Sequence, residues 1–232
     1  MDLSTGCSHH GNRPCNILSR WGCHRGDDNR NTLVLNVLLL GGCQSGRSSV
    51  GNALIGGHEF QTGSCVSGVT TECRLLSRTF PEFFRRQGAE SDLMLRIIDT
   101  PPQLPLPQHV HKLCPEGVHV LAIVVRADLP REDVHVQQHA ERLFGSEWHQ
   151  HALLILTHAD HLKEVGLQPS AYLSQITGWL RDLAGEVGGG VLFLDNTCDW
   201  PSIRGRPLRD RMLHLSAKNH HRALTVRTEI SL

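Results

Sequence analysis

Gly41-Gly42-Cys43-Gln44-Ser45-Gly46-Arg47-Ser48 stands between an unbroken aliphatic run, Leu33 to Leu40, and a segment from Ser48 to Ile55 in which Val50, Leu54 and Ile55 recur at helical spacing. Strand, glycine-rich turn and helix in that order make a loop that wraps phosphate. Every position of Gly-x-x-x-x-Gly-Lys-[Ser/Thr] is met except one, where Arg47 replaces lysine. Gly41 and Gly46 let the backbone curl closely around phosphate oxygens, and Gly42, Cys43, Gln44 and Ser45 contribute amide groups to the cradle. The helix that opens near Arg47 adds its positive end, with Ser48 and Ser49 in its first turn and the Ser48 hydroxyl available to Mg²⁺. Arg47 departs from the pattern because a guanidinium is planar and longer than a compact ammonium. The remaining cradle is backbone, so weakened phosphate binding is the expectation.

Working outward, short apolar runs alternate with helical stretches, the mark of an α/β sheet buried on both faces. Strands are expected at Leu33–Leu40, Glu72–Phe80, Asp92–Ile98, Val118–Val125, Ala152–Thr157 and Val191–Leu194. The second and third are joined by a polar link through Arg85, Arg86, Gln87 and Gly88, short enough for an antiparallel hairpin. Helices are expected near 131–144, ended by Gly145, over Tyr172–Leu183, and over Pro207–His221. The fold class is therefore α/β, a three-layer domain with a mostly parallel six-stranded sheet and one antiparallel edge strand. Its bounds are 32–222. Residues 1–31 are polar, lack a periodic apolar face and read as a disordered tail, and 223–232 reads as a short carboxyl-terminal tail.

Composition narrows the partners. The chain has 232 residues with 23 Lys plus Arg against 23 Asp plus Glu, so no net field draws nucleic acid or an anionic membrane. No run approaches the ~18 apolar residues of a membrane span, and no secretory or lipidation pattern is present. A cytoplasmic protein without an encoded membrane anchor is expected. Its eight cysteines would stay mostly reduced, most of them as small buried residues. Cys7, His9, His10, Cys15, Cys23 and His24 lack the close pairs that seed a zinc site. The sixteen histidines, including His149 and His151, read as surface residues.

Further along, Val50-Gly51-Asn52-Ala53-Leu54-Ile55-Gly56, Val69-Thr70, Asp99-Thr100-Pro101 and Thr157-His158-Ala159-Asp160 resemble the GIMAP, or immunity-associated nucleotide-binding, GTPases over about residues 33 to 220. That resemblance implies a P-loop G domain of septin-like type that binds GTP or GDP with Mg²⁺ and forms a homodimer across the nucleotide face. It assigns Thr70, or Thr71, to the switch position that reaches Mg²⁺ and the terminal phosphate, and Asp99 to the magnesium shell. Thr157, His158 and Asp160 correspond to the guanine motif, with Asp160 accepting from the guanine N1 and exocyclic amine, a pair adenine does not offer. Asn196 matches the family's base-edge asparagine, preceded here by Asp195. The metal set is thus Ser48, Thr70 and Asp99. No catalytic residue is assigned, because Pro102 stands where G domains place a glycine whose N–H meets the terminal phosphate, and proline has none. A guanine-nucleotide binding module with slow or absent hydrolysis is the resulting expectation; the alternative is a pseudo-GTPase that has lost nucleotide and works through protein contacts.

Overall fold

Leu33, Leu35, Val37 and Leu39 point into one core and Leu38 and Leu40 into another, the parity of a strand covered on both faces. A computed structural model places them in a sheet and describes residues 23–25, 31–62, 72–101, 105–130, 134–197 and 200–228. Thr70, Thr71, Pro102, Gln103, the stretch 131–133 and most of the amino-terminal tail lie outside the described residues. Among the described residues the strands are β1 (Cys23–Arg25), β2 (Asn31–Leu40), β3 (Arg74–Arg86), β4 (Ala89–Asp99), β5 (Val120–Arg126), β6 (Ala152–Thr157) and β7 (Val191–Phe193). Their order is β3-β4-β2-β5-β6-β7, with β1 paired antiparallel to the start of β2. Only β3 is antiparallel within the main path, as the short link predicted. The six expected strands are all present; β1 is an addition, formed by three residues read from sequence as tail.

The β3–β4 link is tighter than expected. Arg86 pairs with Ala89, leaving Gln87 (φ 50) and Gly88 (φ 82) as a two-residue turn, and two consecutive positive φ values match the right-handed twist of a hairpin.

Helices α1 (Arg47–Ile55) and α7 (Pro201–Lys218) cover one face, contributing Val50, Ala53, Leu54, Leu208, Met212 and Leu215 to its core. The other face carries α2 (Pro107–Leu113), α3 (Val134–Phe144), α5 (Pro169–Gln175) and α6 (Gly178–Glu186), which bury Val110, Val136, Leu143, Tyr172 and Leu183. The short α4 (Ala159–Glu164) follows β6. The single helix expected over Tyr172–Leu183 is two, because Ile176 is extended (ψ 143) and Gly178 takes φ 61, which breaks the helical path. The last helix starts at Pro201, six residues before the expected start. Pro201 sits at the first helical position, where its missing N–H costs nothing, while Pro207 is carried inside the helix.

Residues read as a carboxyl-terminal tail also pack. Leu224 exchanges two backbone hydrogen bonds with Val118, at 2.7 and 2.9 Å, and Val226 is buried. Burial likewise corrects the histidines: His119, His139 and His151 are interior residues.

The α1–α7 crossing fixes the helix behind the glycine loop. Arg209 reaches the carbonyls of Ala53 and Leu54 at 3.1 Å each, and Arg78 reaches that of Ile55 at 2.8 Å. Two guanidiniums thus satisfy the orphan carbonyls at the carboxyl end of α1, and Arg209 lies 4.4 Å from the centre of the Phe80 ring.

Candidate functional site

Parallel strands bring their carboxyl ends to one edge of the sheet, where ligands of open α/β folds collect. Here that edge receives the loop after β2, Asp99 at the end of β4, Arg126 at the end of β5, Thr157 at the end of β6 and Asn196 beyond β7.

The loop from Gly41 to Gly46 is packed so closely that side chains are excluded at two points. A Cβ on Gly41 would lie 2.4 Å from the Val124 carbonyl oxygen. Gly46 takes φ 89 and its Cβ would lie 3.1 Å from the Thr157 side chain. These are the two glycines the motif demands, and the amino end of the nine-residue α1 follows them directly. Gln44 also takes positive φ, 58, so the turn is sharp throughout.

Arg47 is 7 % exposed and folds back onto the chain: Nη1 donates to the Gly41 carbonyl and, at 3.2 Å, to that of Pro101. It joins the first residue of the loop to the segment leaving β4. Ser48 Oγ donates to Asp99 Oδ2 at 2.7 Å, and Asp99 is 1 % exposed. A hydroxyl and a carboxylate on adjacent elements, beside the loop amides, are the donors a hard divalent cation takes. Cys73 lies nearby, its thiol pushed up to about 11 by burial first and by the Asp99 carboxylate second.

The second half of the site is tied to the first by one buried bond. Thr157, wholly buried, donates Oγ1 to the Ser45 carbonyl at 2.6 Å. His158 follows in the left-handed region (φ 56) and heads α4, with its N–H on Asn196 Oδ1 at 3.2 Å and its Nδ1 3.0 Å from Thr157 Oγ1. Burial, then the Arg126 charge, lower the His158 pKa. Asp160 is 7 % exposed; its Oδ1 accepts from the Asn196 N–H at 2.9 Å, and its Oδ2 lies 3.5 Å from His161 Nε2. The two loops therefore hold each other through Asp160 and Asn196. Asp195 turns aside to Lys163 Nζ at 2.7 Å, which with Thr197 draws its carboxyl down to about 2.

A profile of the AIG1 family matches residues 35–201, most of the chain. The chain belongs to the AIG1 family. Relatives include GTPase IMAP family member 8 of Homo sapiens, 30% identical over 145 residues, 58% of this chain and 20% of that protein. Immune-associated nucleotide-binding protein 4 of Arabidopsis thaliana is 23% identical over 197 residues, 79% of this chain and 58% of that protein. The chain thus spans less than two thirds of either relative. Among solved structures, a dimerization-deficient mutant of Toc33 from Arabidopsis thaliana superposes with TM-score 0.54 at 20% identity, covering 83% of this chain and 88% of that one. Toc33 in complex with GDP and Mg²⁺ gives 0.51 at 21% identity, covering 84% and 88%. At that identity the likeness establishes the fold, a P-loop G domain.

Within this AIG1-family domain, the structure brings together Gly41 to Ser49, Asp99, Thr157, His158, Asp160 and Asn196 at one edge. Thr70 lies outside the described residues. Sequence reading missed three contacts. Arg126 grips Asp128 through two hydrogen bonds, Nε–Oδ1 at 3.0 Å and Nη2–Oδ2 at 2.5 Å, which lowers the Asp128 pKa. His161 lies between Asp128 and Asp160. Lys163 occupies Asp195. Only the pair Arg126 and Asp128, two apart at a strand end, left any signal in the sequence. Cys43 is exposed, while Cys114 is buried.

Proposed function

We propose that this domain binds a guanine nucleotide with Mg²⁺ along the carboxyl edge of the sheet and works as a binding or assembly module whose GTP hydrolysis is slow or absent. The observation that carries this reading is the Thr157–Ser45 hydrogen bond, which sets the base-reading loop and the phosphate loop at a fixed spacing. Backbone amides from Gly41 to Gly46 and the first turn of α1 would hold the phosphates. Ser48 and Asp99 would hold Mg²⁺, which neutralises phosphate charge, and Thr70 is the expected third member of that set. Asp160, steadied by the Asn196 amide, would accept from the guanine N1 and exocyclic amine, with His158 beside the base. Relatives named as a GTPase and a nucleotide-binding protein, and Toc33 with GDP and Mg²⁺, support the ligand class.

Two features favour weak turnover. Pro102 has no N–H for the terminal phosphate. Arg47 is engaged by the Gly41 and Pro101 carbonyls, so a phosphate must compete with them. The same Arg47 geometry favours the second reading, a pseudo-GTPase that has lost nucleotide and acts through protein contacts. A homodimer across the nucleotide face is part of the proposal; dimerization is important for the GTPase activity of the chloroplast translocon components atToc33 and psToc159. Among the described residues no helix is long and apolar enough to cross a membrane, and a cytoplasmic location is proposed.

Protein purified under native conditions, then denatured and chromatographed, tests the choice: guanine nucleotide in the supernatant supports binding. Single-turnover phosphate release at saturating GTP and Mg²⁺ tests the slow hydrolysis, expected at or below the order of 10⁻⁴ s⁻¹ typical of unassisted small GTPases. Faster release that climbs with protein concentration contradicts it.

A further inference from the structure

Beside the phosphate loop, on its α3 side, a cleft of about 200 Å³ opens between the loop, the end of β5, α3 and α6. Its walls are Ile123, Val125, Val136, Trp179 and Leu183, and residues 41–45 of the loop form one side. It is a different place from the edge where Asp160 and Asn196 meet; neither borders it. An apolar cavity of about 150 Å³ holds a benzene-sized ring, so this one has room for a ring with a substituent.

Polar groups around the cleft narrow what it takes. Arg126 borders it, but its guanidinium is already paired with Asp128 through two hydrogen bonds, so that side chain offers an anion little attraction. Ser45 also borders it; the residue is 6 % exposed and its Oγ has no hydrogen-bond partner among the described residues. Cys43 stands exposed on the loop and borders the same cleft.

The geometry points to a second ligand site on the flank of the phosphate loop, taking a small uncharged molecule with one aromatic ring. The site shares loop residues 41–45 with the proposed phosphate cradle but lies on its α3 flank, away from Asp160 and Asn196, and its test needs no nucleotide.

Cys43 supplies the readout. The full chain is treated in parallel with N-phenylacrylamide and acrylamide, and Cys43 modification is followed by peptide-level mass spectrometry, each rate divided by that of the reagent with glutathione. In both reactions Sγ bonds to the terminal alkene carbon, the C=C bond opens and water protonates the carbon next to the carbonyl, so intrinsic chemistry cancels in the ratio. Burial of the ring before reaction is expected to favour the phenyl reagent by about tenfold. Filling the cleft from its rim with Gln137→Trp, or independently with Leu129→Trp, should return the ratio to that of free thiol. Gln137 is half-buried and Leu129 is 49% exposed, so neither change disturbs the core. A wild-type ratio near one, or a phenyl preference that both variants retain, overturns the site.

Discussion

Replacing Gly205 by alanine should destabilise the domain, although Gly205 lies inside a helix where alanine is intrinsically favoured by ~1 kcal/mol. The reason is the α1–α7 crossing. A Cβ at Gly205 would sit 1.6 Å from the Ala53 carbonyl oxygen and 2.5 Å from its carbon. A relaxed carbon–oxygen contact is roughly 3.3 Å, so the helices must part by more than an ångström. The obstacle is backbone and cannot rotate away. Overpacking of this kind costs ~1–3 kcal/mol, and parting the helices also stretches the Arg209 bonds to Ala53 and Leu54, each worth ~1 kcal/mol or more. The net expectation is a loss of about 2 kcal/mol after the propensity gain is subtracted. Urea denaturation followed by circular dichroism reads this as a lower midpoint at unchanged slope. Because α1 carries the phosphate loop at its amino end, the variant should also bind GDP more weakly. A midpoint equal to or above wild type would refute the close-crossing argument.

Arg47→Lys should tighten GDP binding about tenfold, equivalent to ~1.4 kcal/mol, because the shorter lysine gives up the Nη1 hydrogen bonds to the Gly41 and Pro101 carbonyls; calorimetry showing no gain would mean the loop has adapted to the guanidinium. Thr157→Val removes the bond to the Ser45 carbonyl and should cost ~1–3 kcal/mol in urea stability, leaving that buried acceptor unpaired; a neutral result would show that the two loops are not coupled there. Stability should fall as pH drops from 6.5 towards 4. His119 is buried with its Nδ1 accepting the Asn36 N–H, and burial, then His221 and His151, lower its pKa to about 4, so below pH 6.5 the unfolded chain takes a proton the folded one refuses. At pH 5 this group alone should have lost ~2 kcal/mol of its contribution, and His119→Gln should flatten the decline; an unchanged slope would contradict the assignment.

Much of the architecture was legible because it rests on local signals. The unbroken aliphatic strands, the glycine spacing and the β3–β4 link each act over a few residues, and the chain order of strands then fixes which loops meet. What escaped is decided across the sheet. His119 reads as a polar residue in sequence, yet it meets a backbone N–H 83 positions away and is neutral and interior. The break at Ile176 and Thr177 carries no proline, and Pro207 suggested a helix start because its N–H is missing, whereas the packing of Gly205 against α1 extends the helix ahead of it. At the candidate site, the motif says nothing of the company its residues keep. Arg47 follows the loop at the head of α1, and its turn towards Gly41 and Pro101 depends on where β4 ends. Asp128 and His161 beside Asp160 become visible only once β5 and β6 are adjacent.

The central claim is a guanine site built on Asp160, and calorimetric titration of the wild-type chain and Asp160→Asn with GDP and with ADP, in Mg²⁺, tests it most directly. The asparagine keeps an oxygen for the Asn196 N–H and removes only the charge and one acceptor, so the fold should survive. Wild type is expected to prefer GDP by ~2–4 kcal/mol, the worth of two charge-assisted hydrogen bonds, and the variant to bind both nucleotides alike. Equal affinity of wild type for GDP and ADP, or no measurable heat with either, would contradict it.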